Sequence, residues 1–406
     1  MSFAASIQAA YAHPGAGPWL RRGQHLEAQG DVASLVEAVK SYDHALALFQ
    51  GDDLRMRRGR SLAWMNRGSA LHRQNTAHAF ADAVRSYEEA IRGLETELGD
   101  IPESFAATLA VQDGASVESG ASPVSLEGGT PRYHAVAARL DTLAAEDPLF
   151  LNSLGAAWMN RGVSLQQTRD ESSLTAAVAS HEHALALLTR LPVDAEAAFR
   201  RNLAAAWLNL ADALLDTKLP SRHERAARAA REALQHVTPL SNAHLVFADL
   251  DLKARRALVV ALGEQLFAAE GGGQPARAEI ASEASDVIDE GMALGRAWVK
   301  KGFQQVSALV FRLFCMGCQF YRMYQPQFLG EFIEETVGGE HSLPGIEDFR
   351  LVAQQTLAAA EAELGKPRVW SADDPQAAKR MEAIQRIRET REWLESVIKT
   401  AAPTPA

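Results

Sequence analysis

The 406-residue chain has two cysteines, no long apolar run and no excess of basic charge. Two cysteines cannot build a disulfide framework. With 41 Lys and Arg against 51 Asp and Glu, the net charge is −10. That balance argues against a nucleic-acid binder, which needs a basic face to displace phosphate counterions. The opening "MSFAASIQAAYAHPGAG" lacks the basic start and apolar stretch of a secretory signal. The most apolar later stretch, "VSALVFRLFCMGCQF", is 15 residues long and contains Arg312. A membrane span requires roughly 20 apolar residues. The expectation is a cytoplasmic protein with no membrane or nucleic-acid partner. At 47% hydrophobic the chain can fold, and it is too long for one ordinary core.

What is present is repetition. The phrase "AWMNRG" closes at Gly68 and again at Gly162. From each glycine the next marked alanine is 15 residues on, giving Ala83, Tyr87 and Ala90 in one case and Ala177, His181 and Ala184 in the other. "WLRRG" (Trp19 to Gly23) leads at the same step to Ala38, Tyr42 and Ala45, and "WLNLA" (Trp207 to Ala211) leads to Ala226, Ala230 and Ala233. Each unit carries two helical patterns: Trp64, Gly68 and Leu71, then Ala83, Tyr87, Ala90 and Leu94, recur at the spacing of one helix face. Between them "HRQNTAHA", "QQTRDESS" and "LDTKLPSR" supply turn formers and caps.

A mid-helix glycine costs roughly 1 kcal/mol against alanine. Its recurrence at one helical position points to close approach of a neighbouring helix, with the large Trp and Tyr filling the space beside it. This pattern resembles the tetratricopeptide repeat, a helix–turn–helix unit that stacks into a superhelix. The resemblance covers Trp19–Phe49, Trp64–Leu94, Trp158–Leu188 and Trp207–Val237. The spacing departs from the family: its repeat is about 34 residues, whereas here tryptophans of adjoining units lie 45 to 49 apart. Arg22, Arg67 and Arg161 also replace the family's leucine before the glycine. The fold expected is all-α, a right-handed superhelix (an α-solenoid) of helix–turn–helix repeats with a C-terminal helical cap.

The expected division starts with an N-terminal arm over 1–14, repeats one and two over 15–112 and a flexible Gly/Ser-rich loop over 113–131. Repeats three and four follow over 132–240, then a degenerate repeat and long aromatic-rich helix over 241–340. A helical hairpin cap over 341–399 and a disordered tail over 400–406 complete it. The segment 95–157 holds either an eroded repeat or an insertion. In the degenerate repeat Val259 and Gly263 take the Trp and Gly positions, with Ala284, Ile288 and Gly291 on its second helix. "AWVKKG" (Ala297 to Gly302) echoes the opening phrase with no turn expected after it. Asp374 and Pro375 open the last helix as cap and first helical residue.

Candidates for chemistry are few. Cys315 and Cys318 have CxxC spacing, but there is no second Cys pair and no βαβ context, so they read as helical core. His181 and His183 at i and i+2 point to different sides of a helix. "AAEGGGQPAR" lacks the Gly-Lys-Ser/Thr of a phosphate loop. The carboxylates Asp43, Glu88, Glu89, Glu182 and Glu232 fit a solvated face. No nucleophile, base and orienter come together, so the chain is expected not to be an enzyme and to need no cofactor or metal.

The resemblance implies a groove lined by first helices, with the residue two before the glycine facing it: Arg21, Asn66, Asn160 and Asn209. Asn both donates and accepts, so such a ladder either grips a peptide backbone or bonds neighbouring helices. Gln24, Ser69 and Asp212 sit one past the small residue, and His72, Arg73, Gln166 and Gln167 about a turn farther on. A chaperone-type carboxylate clamp does not fit, since Leu20, Gln24, Ala156 and Asn160 stand where it needs cationic or amide contacts. The expected function is a non-catalytic scaffold binding a peptide segment of another protein in this groove. The alternative is a self-associating or complex-building subunit, possible as a homo-oligomer. It would use the aromatic-rich region 303–332, where Phe311, Phe320, Tyr321 and Tyr324 are the residues of interest.

Overall fold

In the computed structural model, residues 2–98, 130–268, 274–338, 343–365 and 375–401 are described. Among them the secondary structure is helical, with no strand. The chain divides into two compact units, Met1–His236 and Val237–Ala406.

The first unit is built from helix pairs. Its helices are α1 (Phe3–Ala12), α2 (Ala16–Gln29), α3 (Val32–Leu48), α4 (Leu54–Arg73) and α5 (Ala77–Glu95). They continue as α6 (Thr130–Glu146), α7 (Pro148–Gln166), α8 (Glu171–Leu188), α9 (Ala197–Asp216) and α10 (His223–Ser241). Hairpins α2/α3, α4/α5 and α7/α8 stack in sequence, with α3 on α4, α5 on α7 and α8 on α9. This is an all-α repeat. The loop over 113–131 lies outside the described residues, and α6 stands where the spare segment was expected.

The turns repeat as strictly as the helices. Seven residues after the small residue of each first helix stand Gly30, Asn75, Arg169 and Lys218, at φ +80, 55, 60 and 54. The left-handed backbone favours glycine and strains the other three. The next residue caps the second helix in three units: Asp31 accepts from the Ser34 amide, Thr76 from Ala79 and Asp170 from Ser173. One reversed residue followed by one cap sets the hairpin geometry of each repeat.

The recurring glycine makes room for a ring within its own hairpin. A Cβ on Gly23 would stand 2.5 Å from the Tyr42 ring, on Gly68 2.8 Å from Tyr87, and on Gly162 2.5 Å from His181. Tyr42, Tyr87 and His181 are buried at 0–2% exposure, so they have nowhere to move. The fourth unit keeps the balance differently, with buried Ala211 and Ala230 at those two positions. The tryptophans do another job. They lie half-buried with the arginine of the same phrase over the ring, Arg22 on Trp19, Arg67 on Trp64 and Arg161 on Trp158.

Those arginines give partners to an acidic face whose Asp43 and Glu88 side chains stay 50% and 39% exposed. Arg67 donates to Asp43 of the preceding repeat at 2.7 Å and to Ser86 of its own at 2.7 Å. Arg161 donates to Glu88 at 2.8 Å and to Ser180 at 2.6 Å. Arg225 pairs with Glu182. The carboxylate following each packing ring therefore receives an arginine from the next repeat; Arg67 and Arg161 stand where the family has leucine, whereas Arg225 comes from the second helix.

The N-terminal segment is a docked helix and not an arm. α1 packs on α2, α4 and α7. Arg58 fixes it: the guanidinium, 6% exposed, binds Glu97 at 2.7 Å and reaches Asp147 at 3.5 Å. It also bonds Ser6 at 3.2 Å and lies 5.4 and 5.5 Å from the Phe3 and Phe150 ring centres.

The second unit holds α11 (Leu245–Ala268), α12 (Gln274–Lys300), α13 (Ser307–Tyr324), α14 (Leu329–Val337), α15 (Ile346–Leu364) and α16 (Pro375–Ala401). Two expectations are corrected here. A turn does follow "AWVKKG": α12 stops at Lys300, Gly302 takes φ +92, and a short 3-10 turn precedes α13. The aromatic-rich segment is two helices, broken at Pro326, whose ring cannot continue α13. Nor does Gly263 repeat the glycine role, since a Cβ there would meet nothing. Gly291, on the second helix, instead admits α13, since a Cβ at that position would collide with the Leu313 side chain. Ala284 and Ile288 are fully buried as expected. α15 and α16 pair as a hairpin; Asp374 and 402–406 lie outside the described residues, and α16 runs through 400–401.

Candidate functional site

In the first three units the residue four past the small one, Glu27, His72 or Gln166, ties its first helix to the next. Glu27 accepts from Tyr42 at 3.0 Å and from Ser69 at 2.6 Å, and its carbonyl accepts from Arg73 at 2.7 Å. His72 shares a 3.0 Å hydrogen bond with Ser164. Gln166 donates to Asp216 at 3.1 Å and bonds His181 at 3.1 Å. Ser69, His72, Arg73 and Gln166 are thus engaged between repeats, and Asp212 has an interaction of its own.

At the N-terminal end the face is occupied by α1. Arg21 and Gln24 donate to the carbonyl and hydroxyl of Tyr11. Asn66 turns its amide toward that hydroxyl, yet its Nδ2 is buried without closing a hydrogen bond. α1 is held through its main chain as well: Arg55 donates to the Ala9 carbonyl at 3.3 Å, and the Phe3 amide donates to Asp147 at 2.6 Å. Farther along, Asn160 on α7 and Asn209 on α9 are half-buried and Gln167 is exposed. Among the described residues these three amides make no side-chain hydrogen bond.

The histidine pair is structural. Burial lowers His181 to about 3, and burial together with Arg161 lowers His183 to about 4. His183 stacks on Trp158 at 4.3 Å, as His44 stacks on Trp19 at 4.4 Å.

In the second unit Phe320 and Tyr321 are core, at 5% and 3% exposure, which corrects their place on a secondary surface. The Tyr321 hydroxyl donates to Asp289 at 3.0 Å. Phe311 packs edge-on against Phe349 at 4.9 Å, and Tyr324 lies 5.5 Å from Phe320. What is exposed nearby is Met323, Phe328 and Phe267. Met323 and Phe267 border an apolar groove of about 410 Å³ between α11 and α13. Cys318 is buried and Cys315 half-buried, both free, with burial raising both thiols. Among the described residues no His, Cys, Asp and Glu cluster suits a metal, and no helix is long and apolar enough to cross a membrane.

No protein-family model matches the chain, and no curated protein matches it. Among solved structures, a "circular tandem repeat protein with novel repeat topology and enhanced subunit contact surfaces" aligns with 94% of this chain and 88% of its own. The identity is 13% and the TM-score 0.35, too distant a likeness to bear on architecture or function.

Proposed function

We propose that the chain is a non-catalytic, tetratricopeptide-like scaffold that holds a peptide segment of another protein against its first helices. The observation that carries this reading is α1. The first-helix face accepts a segment of the chain itself through side-chain bonds to main-chain groups, at the Tyr11 and Ala9 carbonyls and the Phe3 amide. Contacts of that kind hold a backbone with little regard to its side chains. Beyond α1, Asn160, Gln167 and Asn209 offer further donors and acceptors that no described residue of the chain takes up. The proposed binding stretch is that of Asn160 and Gln167, on and just past α7, and Asn209 on α9, with specificity from neighbouring polar residues.

The test compares affinity capture by wild type and by Asn160→Ala/Gln167→Ala/Asn209→Ala. The expected result is loss of a partner with helicity and melting unchanged. Melting that falls with the substitutions assigns the amides to structure, and an unchanged partner set refutes the reading. The α11/α13 groove, edged by exposed Phe267 and Met323, supports self-association as a second reading. Light scattering tests it, since a monomer at every concentration rules it out.

A further inference from the structure

The second repeat differs from its neighbours beside its tryptophan. Twenty-five residues after Trp19 and Trp158 come His44 and His183, each stacked on the indole. The same position after Trp64 is Glu89, which turns to Arg92 at 2.5 Å. Among the described residues Trp64 stacks on no ring. In place of the histidine there is a pocket of about 260 Å³ between α4 and α5, lined by Trp64, Ser61, Arg57, Arg60, Arg92 and Thr96, with Asp52, Glu89 and Gly93 at its edge.

The third repeat loses most of this polar lining, with Arg190 at the Thr96 position the exception. There the positions of Arg57, Arg60, Ser61, Arg92 and Gly93 are Leu151, Leu154, Gly155, Ala186 and Leu187. Two atoms of the pocket's lining residues are buried without a hydrogen-bond partner, Arg57 Nε and Ser61 Oγ, the latter set against Gly93. Ser61 is 1% exposed. Buried helical serines elsewhere in the repeats have partners: Ser41, Ser86 and Ser180 bond carbonyls of their own helices, and Ser164 bonds His72, as half-buried Ser69 bonds Glu27. Ser61 has none.

We propose that this pocket is a binding site for a small aromatic monocarboxylate, its ring stacked on Trp64 and its carboxylate at Arg57. The charge count selects a monoanion. Asp52 pairs with Arg60 and Glu89 with Arg92, leaving the Arg57 guanidinium, whose only described bond is to the Asp52 carbonyl at 2.9 Å. A phosphate dianion would bring a second negative charge against Asp52 and Glu89. The volume lies below the roughly 300 Å³ at which ligand pockets usually begin, room for one or two fused rings and not for a nucleotide. The site is separate from the first-helix face and does not depend on the scaffold reading.

Isothermal titration of the full chain with indole-3-carboxylate tests the assignment, with indole-3-carboxamide and acetate as controls. Saturable binding of the acid is expected, with the amide and acetate at least about tenfold weaker, since each loses one of the two contacts. Glu89→His installs the ring that the first and third repeats carry. It is expected to abolish binding with the melting temperature unchanged or raised. Arg57→Gln is expected to weaken binding about tenfold or more. No saturable binding of the acid by wild type overturns the proposal. So does equal binding of acid and amide, or binding that survives Glu89→His.

Discussion

Gly162→Ala isolates the packing rule of the repeats. On propensity alone the change should stabilise, because alanine is better than glycine in a helix by about 1 kcal/mol. The new methyl, however, would lie 2.5 to 2.9 Å from three atoms of the His181 ring. That ring is fully buried and bonded to Gln166, so α7 and α8 must separate to admit it. Overpacking of this kind costs about 1–3 kcal/mol, which against the propensity gain leaves a net loss of about 0–2 kcal/mol. His181→Ala alone leaves a cavity, with a loss of about 2–4 kcal/mol on the scale of large core truncations. The double variant restores the alanine pair that the fourth repeat has at Ala211 and Ala230. It is expected to be more stable than the sum of the single losses by at least about 1 kcal/mol, within the range measured for contacting residues. Urea unfolding followed by far-ultraviolet circular dichroism reads all three. Additivity within about 0.5 kcal/mol, or a Gly162→Ala variant more stable than wild type, refutes the reasoning.

Arg58→Ala leaves Glu97 and Asp147 buried beside no guanidinium and is expected to cost about 3–5 kcal/mol; limited proteolysis should then cut first between α1 and α2, and unaltered cleavage contradicts the docking of α1. Arg161→Ala removes the link from α7 to Glu88 and Ser180, and because Glu88 is 39% exposed the expected loss is only about 1–2 kcal/mol; a cycle with Glu88→Ala in urea should show coupling, and none would make the link incidental. Acid should weaken the fold through His181, which is held near 3 by burial while the unfolded chain protonates near 6.5. Stability is full above pH 6.5 and is lost as pH falls toward 3, by about 1.4 kcal/mol per unit. His181→Tyr, which copies Tyr42 and Tyr87, should flatten the fall of melting temperature between pH 6.5 and 4.5, and an unchanged slope refutes the assignment.

The helix pairs were legible because a ring and a small residue must match across every hairpin, and Trp, Gly and Ala mark those places at fixed spacing. The left-handed residue was not, because Asn75, Arg169 and Lys218 share a conformation and not a residue type. α1 was missed for a related reason: its ten residues carry a weak pattern, and what docks it is Arg58, 52 residues downstream of Ser6. The arginines before the glycines stood out only as departures from a family pattern. The carboxylate partners of Arg67 and Arg161 lie in the preceding repeat, where spacing within one helix gives no hint of them. The histidine pair was read correctly as packing, and the missing histidine at Glu89 could have been seen by placing positions 44, 89, 183 and 232 together. The break at 301–306 hides because Gly302 follows an echo of the repeat phrase, and only its φ of +92 shows that the helix has ended.

The most direct test of the scaffold reading is amide hydrogen exchange on the chain with and without its captured partner. Protection confined to the first helices α7 and α9, and lost in the Asn160/Gln167/Asn209 alanine variant, is the expected result. Protection on α3, α5 and α8, or on α13, would contradict it.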